Sequence, residues 1–278
     1  MQKQIEYSGT TVYYKVIGSG QPVVLIHGFS EDSDLWKYQI EFLKNNFQLI
    51  VPDLPGSGLS QVSRWSLAGS REYITVEWMA DCIKVILDKE LSYSSPLGRP
   101  GGATIIGHSM GGYITLALVE KYPELINKFG LFHSTAFADS EEKIQKRKKT
   151  IEFIKENGAY IFLKQSIPDL FASSFSNNYP EEITGLIERG KSFTSEALIQ
   201  YYEAMIARPD RTAILKNFNK PILFIIGKED KAVPFEDSMK QCHLPAISHI
   251  HILENSAHMG MWEEKDKCNG AINQFLSA

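Results

Sequence analysis

The sequence predicts an α/β protein with a mostly parallel sheet flanked by helices, and three observations carry that expectation. Short, almost wholly apolar runs at residues 23–26, 48–51 and 103–107, with a looser one at 126–133, have the composition of strands buried on both faces. Between them lie stretches with apolar residues at helical spacing, at 35–43, 76–91 and after Ser109. The third observation is the order itself: βαβαβαβ implies parallel pairing with helices on both faces of the sheet.

Taken in order, residues 4–8 and 11–17 flank a Ser8-Gly9-Thr10 turn and read as a β-hairpin. Gly18 to Pro22 breaks the pattern before the strand at 23–26, which ends in His27-Gly28-Phe29. The strand at 48–51 closes in Pro52-Asp53-Leu54-Pro55-Gly56-Ser57-Gly58, too rich in Gly and Pro for a helix. Residues 61–72 and 92–102 read as loops, and 76–91 as an amphipathic helix through Met79, Ile83, Ile86 and Leu87. From Ser134 to about Asp210 the alternation stops, and helices are expected at 141–157, 159–166, 181–191 and 195–207. Strands resume at 221–226 and 247–253, followed by a helix over 263–276. Because the sheet is interrupted and then completed, residues 1–133 and 211–278 are expected to form one core and 134–210 an inserted helical cap.

The composition, 43% hydrophobic and 22% charged, is that of a soluble globular protein, and the net charge of −4 argues against nucleic acid as a partner. The basic cluster from Lys143 to Lys149 follows Asp139, Glu141 and Glu142 and reads as a solvated helix face. Cys82, Cys242 and Cys268 are odd in number and in no metal-ligand spacing, so reduced thiols are expected. The first residues lack the apolar core of a signal peptide, no run has the length of a membrane span, and a cytoplasmic location is expected.

The chemically telling stretch is Gly107-His108-Ser109-Met110-Gly111. It joins a buried strand to a helix through a sharp turn, with glycines that let backbones pass on both sides of an exposed serine hydroxyl. A serine is a poor nucleophile without a base, and a histidine held by a carboxylate is the usual one. His258 lies in a short loop after the 247–253 strand, and Asp230 just after the 221–226 strand, both at the carboxyl end of the sheet where open α/β sheets bind ligands. Asp139 is a rival acid and Glu229 a weaker one. His133, His243, His249 and His251 lack a matching loop, and the last two alternate like solvent-facing residues.

His27-Gly28-Phe29, Asp53 to Gly58, Gly107 to Gly112, Gly227-Lys-Glu-Asp-Lys-Ala-Val-Pro234 and Ser256-Ala-His258 together resemble the α/β-hydrolase superfamily across essentially the whole chain. The resemblance implies a sheet of the eight-stranded type and the chain order nucleophile, acid, histidine, here Ser109, Asp230 and His258. It also implies that the backbone N–H groups of Phe29 and Met110 form an oxyanion hole, and that no metal or other cofactor takes part. It gives His27 a loop-holding part; His108, inside the elbow, is expected to be structural as well, near the substrate pocket, and Asp53 to tie loops together. Trp36, close to the oxyanion loop, is a further expected pocket residue. His-Gly-Phe departs from the His-Gly-Gly-Gly run of some lipases and esterases, which disfavours bulky or tertiary-alcohol esters.

These readings converge on a metal-free serine hydrolase that cleaves a small or medium carboxylic ester, a small-molecule substrate, through an acyl-enzyme. Carbon-carbon bond hydrolysis, enol-lactone or amide hydrolysis and peracid formation use the same three residues, and a ligand receptor that retains them is the alternative from another class. No basic cluster is expected at the pocket mouth, so a strongly anionic substrate is disfavoured.

Overall fold

A computed structural model describes residues 1–62, 74–91 and 102–278. Most of the expected loop at 61–72 and nearly all of that at 92–102 lie outside the described residues. Eight strands, β1 (Gln2–Tyr7), β2 (Thr10–Ile17), β3 (Gln21–Ile26), β4 (Phe47–Pro52), β5 (Ala103–His108), β6 (Ile126–Phe132), β7 (Ile222–Gly227) and β8 (Ser248–Leu253), form one sheet in the order β1-β2-β4-β3-β5-β6-β7-β8. The β1–β2 and β2–β4 pairs are antiparallel and every other pair is parallel. The parallel strands at the centre are those with unbroken apolar runs: β5 and β7 are buried along their whole length, and so is β3 from Val23 to Ile26. A strand covered on both faces has no solvent side on which to place polar residues.

The helices are α1 (Lys37–Leu43), α2 (Val76–Leu91), α3 (Met110–Lys121), α4 (Glu141–Asn157), α5 (Ala159–Ser166), α6 (Ser173–Asn178), α7 (Pro180–Arg189), α8 (Ser195–Ala207), α9 (Thr212–Asn217), α10 (Phe235–Cys242), α11 (Gly260–Glu263) and α12 (Lys265–Ser277). Against the sheet, α2 packs on α3 and α1 on α12. α2 buries Met79, Ile83, Ile86 and Leu87 at the spacing of one helix face. α3, beneath the sheet's centre, is buried almost all round until Tyr122-Pro123 stops it. Between β6 and β7 the chain is helical, α4 to α9, with α4 exposing most of its residues and burying only Ile151 and Ile154.

Three details depart from expectation. α6 and α9, of six residues each, and α10, of eight, are too short for a pattern reading to separate from loop. The last helix is broken at Glu264, whose backbone (φ −126°, ψ 49°) is not helical. On the edge strand β8 it is Ile250 and Ile252 that face solvent, while His249 and His251 are half-buried, His249 against the Phe275 ring. Cys82, Cys242 and Cys268 are buried free thiols. No helix among the described residues is long and apolar enough to cross a membrane.

Candidate active site

β5 delivers Ser109 to the carboxyl edge of the sheet, and α3 begins at the next residue. Ser109 adopts φ 49° and ψ −116°, a conformation that L-residues occupy only at a cost of about 1–3 kcal/mol. The surroundings enforce it: the Ser109 N–H donates to the Phe132 carbonyl (2.9 Å), and the Ser109 carbonyl accepts from Ser134 Oγ (2.8 Å). A Cβ at Gly107 would sit 2.2 Å from the Gly111 carbonyl oxygen, and one at Gly111 2.4 Å from that of Ile26. Only glycine lets β3, β5 and α3 approach this closely.

His258 and Asp230, far apart in sequence, meet behind this turn. His258 Nδ1 lies 2.8 Å from Asp230 Oδ2, so the ring proton is on Nδ1 and Nε2 is left as a free base. The other carboxylate oxygen, Oδ1, accepts from the N–H groups of Ala232 (2.8 Å) and Val233 (2.9 Å). Burial would raise the Asp230 carboxyl, but the His258 charge and the imidazole hydrogen bonds hold it far below the usual carboxylate range. Burial likewise pushes His258 down, and the Asp230 charge and hydrogen bond overcome it, leaving its pKa above the ordinary histidine value. Asp139, the rival acid, stands elsewhere, paired with Arg147 Nε (2.6 Å) and Arg208 (2.8 Å).

His133 also reaches Asp230, which its sequence context gave no reason to expect. Its Nδ1 is 3.1 Å from Asp230 Oδ2, and the Gly260 N–H faces its Nε2 at 3.1 Å. The Gly227 N–H points at Nδ1 as well (3.2 Å), so N–H donors face both ring nitrogens while Nδ1 also lies against the carboxylate. Burial drives the His133 pKa down to about 4, keeping the ring neutral. His133, Asp230 and His258 are the one group among the described residues with ligand atoms clustered as for a metal ion. Two imidazole Nδ1 atoms within hydrogen-bond reach of one carboxylate oxygen account for that cluster.

Phe29 follows β3, and Met110 is the first residue of α3, where a backbone N–H has no acceptor within the helix. The loop before Phe29 is braced by Glu31, whose Oε2 accepts from the Gly28 N–H (2.6 Å) and lies 2.9 Å from His108 Nδ1. Burial would raise Glu31, but His108 holds its carboxyl below the usual range. His108 Nε2 in turn donates to the His258 carbonyl (2.9 Å). His108 is thus a fully buried brace between the two loops and not a lining residue of the cavity described below, a correction to its expected place at the pocket. The same correction applies to Trp36: the short 3-10 turn Ser33–Trp36 rotates its indole inward, fully buried and edge-on to Phe132 (5.7 Å). His27 Nε2 accepts from the Leu54 N–H (2.9 Å), and Asp53 accepts from the Ser33 and Leu59 N–H groups (2.8 and 2.9 Å), so both hold loops.

The loop that carries His258 hangs on Glu263, which sequence reasoning missed. Glu263 Oε2 accepts from Ser256 Oγ (2.8 Å) and from the N–H groups of Ala257 (3.0 Å) and Met259 (3.1 Å). Its Oε1 accepts from the Ala172 N–H (2.6 Å), and the His258 N–H donates to the Leu170 carbonyl (2.9 Å). The helical segment between β6 and β7 is thereby tied to the His258 loop at two points.

Ser109 and His258 open into one cavity of about 450 Å³. Phe29 faces it with Phe162 of α5 and Tyr202 of α8, rings 6.3 and 4.5 Å from that of Phe29. Tyr113, one turn along α3, lines it too. Burial would raise its phenol, but Arg208, 3.8 Å from its ring, and other nearby cations lower it overall. Lys143, Lys146, Arg147 and Lys231 line the same cavity. This corrects the expectations that the basic cluster on α4 is only a solvated face and that the mouth lacks basic residues. Residues 143, 146, 147 and 150 share one face of α4, and that face is turned to the site.

Residues 23–271 match the alpha/beta hydrolase family. Among solved structures, a thermophilic esterase from Thermogutta terrifontis, determined with malate bound, superposes with a TM-score of 0.87 at 28% identity, covering 100% of this chain and 98% of that one. The enol-lactonase from Burkholderia xenovorans gives a TM-score of 0.86 at 19% identity over 99% of this chain and 100% of the other, a likeness of fold. In sequence, the (E)-2-((N-methylformamido)methylene)succinate hydrolase of Acinetobacter baylyi is 23% identical over 273 residues, 96% of this chain and 94% of that protein. With its sheet order and the family match over residues 23–271, this chain belongs to the alpha/beta hydrolase family.

Proposed function

We propose that this hydrolase cleaves small or medium carboxylic esters through a covalent acyl-enzyme, with Ser109 as nucleophile, His258 as base and Asp230 as its orienting acid. The observation that carries the reading is the 2.8 Å contact of His258 Nδ1 with Asp230 Oδ2, made while His258 shares a cavity with Ser109. His258 Nε2 takes the Ser109 proton as Oγ attacks the ester carbonyl, and the oxyanion that develops is held by the Phe29 and Met110 N–H groups. Met110 adds the positive end of the α3 dipole. Collapse expels the alcohol, which receives its proton from His258. Water, deprotonated by the same ring, then attacks the acyl-Ser109 carbonyl and releases the carboxylic acid.

Residues 134–210 serve in this reading as the cap, which supplies Phe162 and Tyr202 to the pocket wall. The cavity, about 450 Å³, lies toward the lower end of the roughly 300–1,000 Å³ common for small-molecule sites, which suits a small or medium substrate. The test is direct: wild-type protein hydrolyses short 4-nitrophenyl esters and is labelled at Ser109 by a fluorophosphonate, and Ser109→Ala does neither. Ester hydrolysis undiminished in Ser109→Ala sinks the assignment.

A further inference from the structure

Four cationic side chains, Lys143, Lys146, Arg147 and Lys231, line the cavity that holds Ser109 and His258, against two carboxylates, Glu31 and Asp169. The positive side is in excess by two. Two of the four are engaged elsewhere: Lys143 Nζ donates to the Ala232 carbonyl (2.9 Å), and Arg147 pairs with Asp139, which Arg208 shares. Glu31 is held by His108 and the Gly28 N–H, and Asp169 is exposed. Lys146 and Lys231 reach the cavity wall from different elements, α4 and the loop after β7, and their side-chain ammonium groups have no hydrogen-bond or ion-pair partner among the described residues.

Local stability does not explain this arrangement. Like charges three and four positions apart on a helix repel, as Lys143 does with Lys146 and Arg147, and Lys143 in the first turn of α4 opposes the helix dipole. An anion in the cavity would relieve both. Tyr113 adds a phenol on the same wall, in the field of Arg208 and Lys143.

From this we infer that the substrate carries a free carboxylate, received by Lys146 and Lys231 while its ester carbonyl lies at Ser109. The inference rests on the esterase reading for its chemistry and adds the substrate class: an ester with a second, anionic end. No new bond is made at the carboxylate; the lysines attract and position it.

The experiment compares kcat/KM within two matched pairs at low salt: monomethyl adipate against methyl hexanoate, with the charge on the acyl side, and 4-acetoxybutanoate against butyl acetate, with the charge on the alcohol side. We expect one pair to favour the anionic member by about tenfold, each exposed lysine contributing a few-fold, and the preference to shrink as salt rises. Lys146→Gln/Lys231→Gln brings that ratio near one. Lys148→Gln/Lys149→Gln, the same charge change off the cavity-lining face, keeps it. A wild-type ratio near one in both pairs overturns the inference and leaves the esterase reading standing, and so does an equal loss of ratio in both double variants. Should no ester be cleaved and Ser109 resist the fluorophosphonate, the esterase reading falls. Calorimetric titration of adipate into Ser109→Ala then decides the anion site: saturable binding lost with Lys146→Gln/Lys231→Gln upholds it, and absence of binding removes it.

Discussion

Asp230 and His258, 28 residues apart in sequence, are joined by a buried 2.8 Å hydrogen bond from Nδ1 to Oδ2, and the direction of that bond decides what the ring can do. With its proton committed to Asp230, the imidazole offers only Nε2 as a base. The contact stabilises the protonated ring, so the His258 pKa stands above the ordinary value of 6.5.

A pH profile follows. Only the neutral ring can take the Ser109 proton, so kcat/KM for a neutral ester rises with pH as His258 deprotonates. Its half-maximal point is expected above pH 6.5, the ordinary histidine value. Steady-state rates on a neutral ester between pH 5 and about 9 check this, and an acid limb below pH 6 contradicts it.

Asp230 and Asp139 respond differently to the same substitution. Asp230→Asn removes the acceptor that sets the His258 tautomer and lowers kcat by about 10⁴-fold. Asp139→Asn leaves that bond intact and instead strips Arg147 and the buried Arg208 of their shared carboxylate. Its main effect is a lower Tm, with a kcat loss far smaller than that of Asp230→Asn. Circular dichroism melts beside initial rates separate the two.

His133 is a positioning residue in this scheme, because its neutral ring shares the Asp230 oxygen that His258 uses. His133→Ala leaves the carboxylate charge to His258 alone, so the acid limb moves to higher pH. It also takes the acceptor from the buried Gly227 and Gly260 N–H groups, at about 1–3 kcal/mol of stability each. A fall in stability with an unmoved pH profile would reduce His133 to packing.

Glu263→Ala is expected to loosen the His258 loop. The N–H groups of Ala257, Met259 and Ala172 all lose their acceptor, at a cost of about 1–3 kcal/mol each where they stay out of water. The expected outcome is a depressed Tm with reduced kcat and reduced fluorophosphonate labelling at Ser109. Faster amide hydrogen exchange confined to 256–260 and 170–172 would locate the effect.

The sequence alone determined the sheet and the elbow, because both are written in local chemistry. Residues buried on both faces of a strand are apolar without alternation, as at β3, β5 and β7, and a serine at positive φ between crowded backbones leaves Gly107 and Gly111 no substitute. Tertiary structure alone decided what depends on direction. Trp36 and His108 are near the site in sequence logic but turned into the core, since one rotation of a short turn carries an indole from pocket to interior. His133 and Glu263 became parts of the site only when folding brought loops 127 and 91 residues away onto their polar atoms. The α4 cations read as solvated because a charged stripe has the same spacing whether it faces water or a cavity. Which of the two it faces is set by how α4 packs beside Ser109, a placement that no residue within α4 encodes.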